Sequence, residues 1–161
     1  MLEHYLGGND GSPNLWQDLG HGAPTLYALA RVCSDALARD GGDPPELSVE
    51  ARAILYLARA RGVFELQAVN TAANALDRLL TVFVEVNDDT RVALKVVGNP
   101  ESTARLFDGF RELCRSGLVM HHLYGEFSLT AQGFTEAKKT EAETLEDVLQ
   151  QLDLQSAGNG L

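Results

Sequence analysis

The sequence has no run of 18 apolar residues, and its first residues lack the basic and then apolar pattern of a secretory signal. We therefore expect no membrane span, and we predict a cytoplasmic location. The chain has only two cysteines, Cys33 and Cys114, each on the apolar face of a predicted helix. Their spacing fits no disulfide framework, so we predict reduced thiols in the core.

Positive charge is also scarce. The 13 Lys and Arg residues stand against 23 Asp and Glu residues, which gives a formal net charge of −10. By segment, no part of the chain is basic. Proteins that bind nucleic acid usually carry a cluster of cations that displaces counterions from phosphate. The composition therefore argues against nucleic-acid binding.

Sequence patterns for catalysis, cofactors and metals are missing as well. No Gly-rich stretch ends in the Lys-Ser/Thr of a phosphate-binding loop, and the four histidines show no zinc-binding spacing. His121-His122, close to the helix that carries Cys114, is the only grouping of nucleophile and base. Adjacent strand residues point to opposite faces, so at most one of these histidines meets the thiol. We predict no catalytic residue, no cofactor and no metal, and hence no enzyme.

The residues that are present predict alternating helices and strands. Apolar residues recur at helical spacing over residues 24–39, 49–61 and 67–80, and Ser48 is a good N-cap for the second helix. Strand alternation follows on both sides of residues 87–90. With residues 88–90 as the loop, the predicted register pairs Val86 with Val92, Val84 with Leu94 and Val82 with Val96, all on one face.

Residues 99–139 give the clearest local signals. Asn99 is an N-cap, Pro100 occupies the first helical position, and Gly117 permits the left-handed conformation that ends a helix. A short hairpin with its bend near Gly125 follows. Thr130 then caps a last helix, which we expect to continue to about residue 152.

This order of motifs resembles the second half of a winged-helix domain, as found in many bacterial repressors. The resemblance covers about 40 of 161 residues and is carried by Phe110-x-x-Leu113, Gly117-Leu118-Val119 and Leu129-Thr130-x-x-Gly133. It implies that Gly-Leu-Val opens the wing, that Leu-Thr-x-x-Gly closes it, and that the preceding helix enters the DNA major groove. One departure stands out, because a whole hairpin separates two helices that a helix-turn-helix joins by a short turn.

We therefore predict an α+β fold: a winged-helix-like module with an additional β-hairpin and flanking N- and C-terminal helices. The predicted segments are a flexible N-terminal arm (1–22), an N-terminal helix (23–42), the winged-helix-like domain (46–140), a C-terminal helix (141–154) and a disordered tail (155–161). An apolar stripe on the C-terminal helix packs either on the N-terminal helix or on a second copy in a homodimer, and consists of Leu145, Val148, Leu149 and Leu152. In the arm, a second apolar group docks on a protein partner or folds back on its own domain, and consists of Leu15, Trp16 and Leu19.

Two functions follow from these features. The leading one is a non-catalytic protein-interaction or regulatory module, favoured by the acidic charge and the apolar stripes. The alternative is a DNA-binding transcriptional regulator of the winged-helix type. Its phosphate contacts would come from Arg105, Arg111 and Arg115, with Arg52 and Arg59 on the second helix. Asp108 and Glu112 interleave the first three, and the wing has no Lys or Arg.

Overall fold

The computed structural model describes residues 24–39, 42–68 and 80–158, without the side chains of residues 68, 80 and 153–158. Five α-helices, one 3₁₀-helix and five strands lie in these ranges. In chain order they are α1 (Pro24–Leu37), α2 (Val49–Ala58), β1 (Val63–Ala68), β2 (Leu80–Glu85), β3 (Arg91–Ala93), α3 (Pro100–Arg115), β4 (Val119–His121), β5 (Glu126–Leu129), α4 (Ala131–Lys138), the 3₁₀-helix (Ala142–Leu145) and α5 (Glu146–Gly158). The predicted α+β class is confirmed at this level. None of these described helices has the length and hydropathy needed to span a bilayer.

The strands form one antiparallel sheet in the order β3-β2-β1-β5-β4. The central strand β1 pairs with β2 on one side and with β5 on the other. Alternation along β1 buries Phe64 and Leu66, whereas Glu65 and Gln67 lie on the half-exposed opposite face. One buried and one solvated face is the usual arrangement of an antiparallel sheet with helices on one side.

The helices cover the buried face of the sheet. Helix α3 packs against both α1 and α2, and α1 also contacts β4. At the centre of α3, Gly109 lies so close to α2 that a Cβ there would be 2.9 Å from the backbone nitrogen of Ala51. Phe110, on the same helix, packs against Phe64 and Phe127 of the sheet, with ring centroids 5.3 Å apart in each pair. These contacts join α2, α3 and the sheet in one core.

The three predicted N-caps are confirmed. Ser48 Oγ accepts a hydrogen bond from Ala51 N–H, Asn99 Oδ1 accepts from Ser102 N–H, and Thr130 Oγ1 accepts from Gly133 N–H. Each side chain satisfies one of the free N–H groups at a helix start. The predicted left-handed residue after α3 is also present, since Gly117 has φ of +74°.

The predicted helix over residues 67–80 is wrong at both ends. Gln67 belongs to β1 and Leu80 begins β2; residues 69–79 lie outside the described part of the chain. The preceding helix is also shorter than predicted, because α2 ends at Ala58 and Gly62 turns the chain with φ of +67°. The apolar spacing predicted that a helix begins at Gln67, but in the structure this residue pairs in the sheet as part of β1. Pairing with neighbouring strands outweighs this local helical preference.

The hairpin of β2 and β3 is present, but the predicted register is wrong by two residues. Val84 pairs with Val92, where Val86 was expected. The loop is residues 87–89, closed by Val86 N–H donating to Thr90 O, and Asp89 N–H donates to Asn87 Oδ1. This turn, which the Asn87 side chain stabilises, shifts the loop by one residue from the predicted 88–90. A shift of two keeps every side chain on its predicted face. Val82, Val84, Val92 and Leu94 are buried there, and Val86 and Val96 are half-buried against the core.

The single C-terminal helix predicted from residue 130 to about 152 is also wrong. Helix α4 ends at Lys138, and Glu141 adopts an extended conformation (φ −109°, ψ 131°) before the 3₁₀-helix and α5. The Thr140 hydroxyl donates to the backbone oxygen of Ala137, a local bond that competes with helix continuation. Helix α5 includes residues 155–158, which were predicted as tail, while 159–161 lie outside the described residues.

Candidate interaction surfaces

The exposed side of α3 carries the arginines that the DNA-binding hypothesis requires. Two of them form ion pairs within the helix: Arg105 with Glu101 at 2.6 Å, and Arg111 with Asp108 at 3.1 Å. Together with Arg115, this exposed side has three cations and two anions, a formal charge of +1. Phosphate binding at Arg105 and Arg111 would compete with these ion pairs.

Glu112 does not lie on that exposed side, contrary to the interleaving predicted from the sequence. Its carboxylate accepts hydrogen bonds from the backbone N–H of Ser48 at 3.0 Å and from the Ser48 hydroxyl at 2.7 Å. The same hydroxyl caps α2, so one carboxylate fixes the start of α2 against the side of α3. The bond joins residues 64 positions apart, and no local pattern predicts it.

The two arginines of α2 lie in different surroundings. The Arg59 guanidinium covers the Tyr56 ring at 3.8 Å from its centroid and donates to the Tyr56 backbone oxygen. Arg52 is half-buried at a cleft beside Leu47 and Glu136, and its Nε has no hydrogen-bond partner among the described residues. The Arg59 guanidinium is stacked and exposed whereas Arg52 is half-buried, so the two do not form a continuous row of cations for binding phosphate.

A second cleft lies where the ends of α1 and α3 meet the start of α4. Arg39 Nη2 donates to the backbone oxygen of Arg115 at 3.1 Å, which brings the two arginine residues together across 76 positions of sequence. The cleft has a volume of about 290 Å³ and is named here the Arg39/Arg115 cleft. Its walls are Ala36, Leu37, Arg39, Gly42, Asp43, Pro44, Pro45, Arg115, Ser116, Gly117 and Gln132. Within the described ranges, no ion pair to a carboxylate involves either arginine.

Sequence reasoning missed Arg39 as a neighbour of Arg115. Arg39 follows Arg31 and Asp35 at four-residue steps, and all three side chains are exposed, a pattern typical of a solvated helix face. The residues that bring it to α3 are the apolar ones, since Leu29, Cys33 and Ala36 are buried on the other side of the same helix. Only the packing of α1 on α3 reveals the pair of arginines.

The tip of the β4–β5 hairpin presents two exposed apolar side chains. Leu123 is 66% exposed and Tyr124 is 67% exposed. Tyr124 has φ of +47°, and its backbone oxygen accepts a hydrogen bond from His121 Nε2 at 2.6 Å. Gly125 is held against β1, where its oxygen accepts from Leu66 N–H at 2.7 Å. We name Leu123 and Tyr124, in this fixed conformation, the hairpin tip.

The two histidines and the cysteines that were considered as a nucleophile and base grouping make contacts within the fold. His121 packs its ring on Phe127, with centroids 4.9 Å apart, while His122 is exposed and bonds Ser128 Oγ through Nε2 at 2.6 Å. Cys33 and Cys114 are free and buried, as predicted. A hydrogen bond with the Cys33 thiol, together with burial, raises the pKa of the Cys114 thiol well above its ordinary value. Cys114 is therefore protonated near neutral pH and a weak nucleophile.

The apolar stripe predicted for self-association is used inside the chain. Leu145 and Leu152 are each only 1% exposed, and Val148 and Leu149 pack against the core. The 3₁₀-helix contacts α2, and α5 contacts α2 and β3. The stripe thus packs within its own chain, although not on the N-terminal helix as expected, and a second copy would have to displace these contacts. Leu145 and Leu152 are therefore not accessible to a second copy while these contacts hold, and self-association through the half-buried Val148 and Leu149 stays a prediction.

The predicted N-terminal docking group and the possible metal ligands complete the set of candidate sites. Leu15, Trp16 and Leu19 lie outside the described residues. Over the described ranges, no three or more His, Cys, Asp or Glu side chains come together in a way that could hold a metal ion. Comparison of the chain with protein-family models, with curated proteins and with solved structures finds no match.

Proposed function

We propose that this chain is a non-catalytic protein-interaction or regulatory module with a winged-helix-like second half. Three motif residues that carry the resemblance have structural roles that support it. Gly117 ends α3 in a left-handed conformation, and Thr130 caps α4. Gly133 lies against the start of β4, where a Cβ would be 2.1 Å from the backbone oxygen of Leu118. In this proposal the β4–β5 hairpin, which lies between Gly117 and Thr130, corresponds to the wing.

The observation that carries the proposal is the chemistry of the hairpin tip. A wing that grips DNA needs cations for the phosphates. Here the segment over residues 118–130 has no Lys or Arg, and its tip presents Leu123 and Tyr124. Because Tyr124 and Gly125 are held by hydrogen bonds to His121 and Leu66, the tip loses little conformational entropy on binding. A fixed apolar tip with an aromatic residue is typical of a protein contact.

The test is affinity capture from the source cells with the intact chain as bait, in which wild type is compared with one double variant and one single variant. Leu123→Ser/Tyr124→Ser removes the apolar tip. Val97→Ser is the matched control, because Val97 is 73% exposed and lies outside the hairpin. We expect at least one protein to be captured by wild type and by the control and lost with the tip variant. Equal capture by all three proteins would contradict the proposed role of the tip, provided that their circular dichroism spectra agree.

A DNA-binding regulator is the second candidate, and one observation favours it. Because the Glu112 carboxylate is bound to Ser48, it does not lie on the exposed side of α3, which therefore has a formal charge of +1. Arg39 adds a further cation beside Arg115. This local surplus is small against a net charge of −10. If DNA is the ligand, Arg39→Ala and Arg115→Ala should each weaken binding of a duplex of random sequence and reduce its salt dependence.

A further inference from the structure

The Arg39/Arg115 cleft combines an apolar wall with surplus positive charge. Its charged lining residues are two arginines and Asp43, a formal charge of +1 in a chain of −10. Leu37, in its wall, is 51% exposed although the rest of the apolar side of α1 is buried. Pro44 and Pro45 add further apolar surface to the lining of the cleft. The cleft therefore fits a segment that offers both a carboxylate and apolar side chains.

The chain itself contains such a segment. Residues 1–23 include Glu3, Asp10 and Asp18 but no Lys or Arg. Asp18 lies among the apolar residues Leu15, Trp16 and Leu19, so one carboxylate and three apolar groups fall within five positions. We propose that residues 15–19 bind the Arg39/Arg115 cleft of the same molecule, with Asp18 facing the arginines and Trp16 against Leu37 and the two prolines.

The lengths of chain involved permit this intramolecular contact. The cleft lies at the C-terminal end of α1, whose 13 steps from Pro24 to Leu37 cover about 20 Å at 1.5 Å per residue. The eight steps from Trp16 to Pro24 span up to about 26 Å when extended, at about 3.3 Å each. Trp16 can therefore reach back along α1 to the cleft. Leu19, with a span of about 17 Å by the same rule, reaches only its near edge.

Tryptophan fluorescence measures this contact directly, because Trp16 is the only tryptophan in the chain. In the full-length protein at low salt, we expect emission at shorter wavelength, and weaker quenching by acrylamide, than for the urea-unfolded chain. Arg39→Glu/Arg115→Glu should move both values to those of the unfolded chain. Leu37→Ser should produce a partial shift. The matched control is Arg105→Glu/Arg111→Glu, the same charge change on the exposed side of α3, which should leave the emission unchanged.

Three results would overturn the proposal. The first is emission from the wild-type protein that equals the unfolded value under native conditions. The second is a blue shift that the cleft variants retain while their circular dichroism remains native. The third is a blue shift that disappears on dilution together with a fall in sedimenting mass, which would place the segment on a second copy. Leu123→Ser/Tyr124→Ser should not alter Trp16 emission, so this contact and the proposed role of the hairpin tip fail independently.

Discussion

Replacement of Gly109 by alanine should destabilise the protein, although the same change usually strengthens a helix. In a helix interior, alanine is favoured over glycine by about 0.5–1 kcal/mol because it leaves less backbone freedom to be lost. Gly109, however, is buried where α3 meets α2. Whether Gly109→Ala raises or lowers the stability of the protein therefore depends on whether the two helices can accept one methyl group.

The structure indicates that they cannot do so without moving. A Cβ at position 109 would lie 2.9 Å from Ala51 N, 3.0 Å from Glu50 Cβ and 3.1 Å from the Glu50 carbonyl carbon. Two of these atoms are backbone, so no side-chain rotation relieves the contact. Overpacking of this kind costs about 1–3 kcal/mol. After subtraction of the helix-propensity gain, we expect a net loss of up to about 2.5 kcal/mol, or up to roughly 10 °C in Tm for a chain of this size.

Thermal unfolding followed by circular dichroism tests this expectation, with urea unfolding for the free energy. Ala104→Gly is the control: Ala104 is exposed on the same helix, and its replacement should cost about 1 kcal/mol through propensity alone. Gly109→Val should lower Tm further than Gly109→Ala, since its branches need more space. A Tm that rises in Gly109→Ala would refute the close approach of α2 and α3 described above.

Other predictions concern the contacts that hold the helices. Glu112→Ala removes both bonds to Ser48 and should cost about 1–3 kcal/mol by urea unfolding; Ser48→Ala added to it should cost less than the sum of the single changes. Because the pKa of Cys114 is raised in the folded protein, its contribution to stability is full below the ordinary thiol pKa of about 8.5 and is lost as the pH rises toward the folded value. Urea unfolding between pH 7 and pH 10 should thus show a decline of at most about 1.4 kcal/mol per pH unit that Cys114→Ala lacks. Leu145→Ala and Leu152→Ala should each lose about 2–5 kcal/mol and leave the sedimenting mass of the folded protein unchanged, contrary to a role in self-association.

The parts of the fold that could be predicted from sequence depend on local interactions. Asn99 and Pro100 fix the start of α3, Gly117 fixes its end, and Thr130 fixes the start of α4. Each of these signals acts within about four residues, so it survives in any tertiary context. The burial of Cys33 and Cys114 likewise follows from helical periodicity.

The parts that could not be predicted depend on distant residues. Strand β1 exists because it pairs with β2 and β5, and nothing in residues 63–68 indicates those partners. The stripe on α5 was correctly identified as apolar, but its partner surface on α2 and β3 is formed by residues far away in the chain. The contact of Arg39 with Arg115, and of Glu112 with Ser48, arises for the same reason.

We have proposed that the second half of this chain is winged-helix-like but lacks the cationic surface needed to grip DNA. Fluorescence anisotropy of a labelled duplex of random sequence, titrated with the intact protein at low salt, tests it most directly. We predict no binding at micromolar protein, because Arg105 and Arg111 of α3 are paired with Glu101 and Asp108, and the β4–β5 hairpin has no Lys or Arg. Micromolar binding with a log-log salt slope of about −4 or steeper would contradict the claim, since such a slope requires about four or more phosphate contacts.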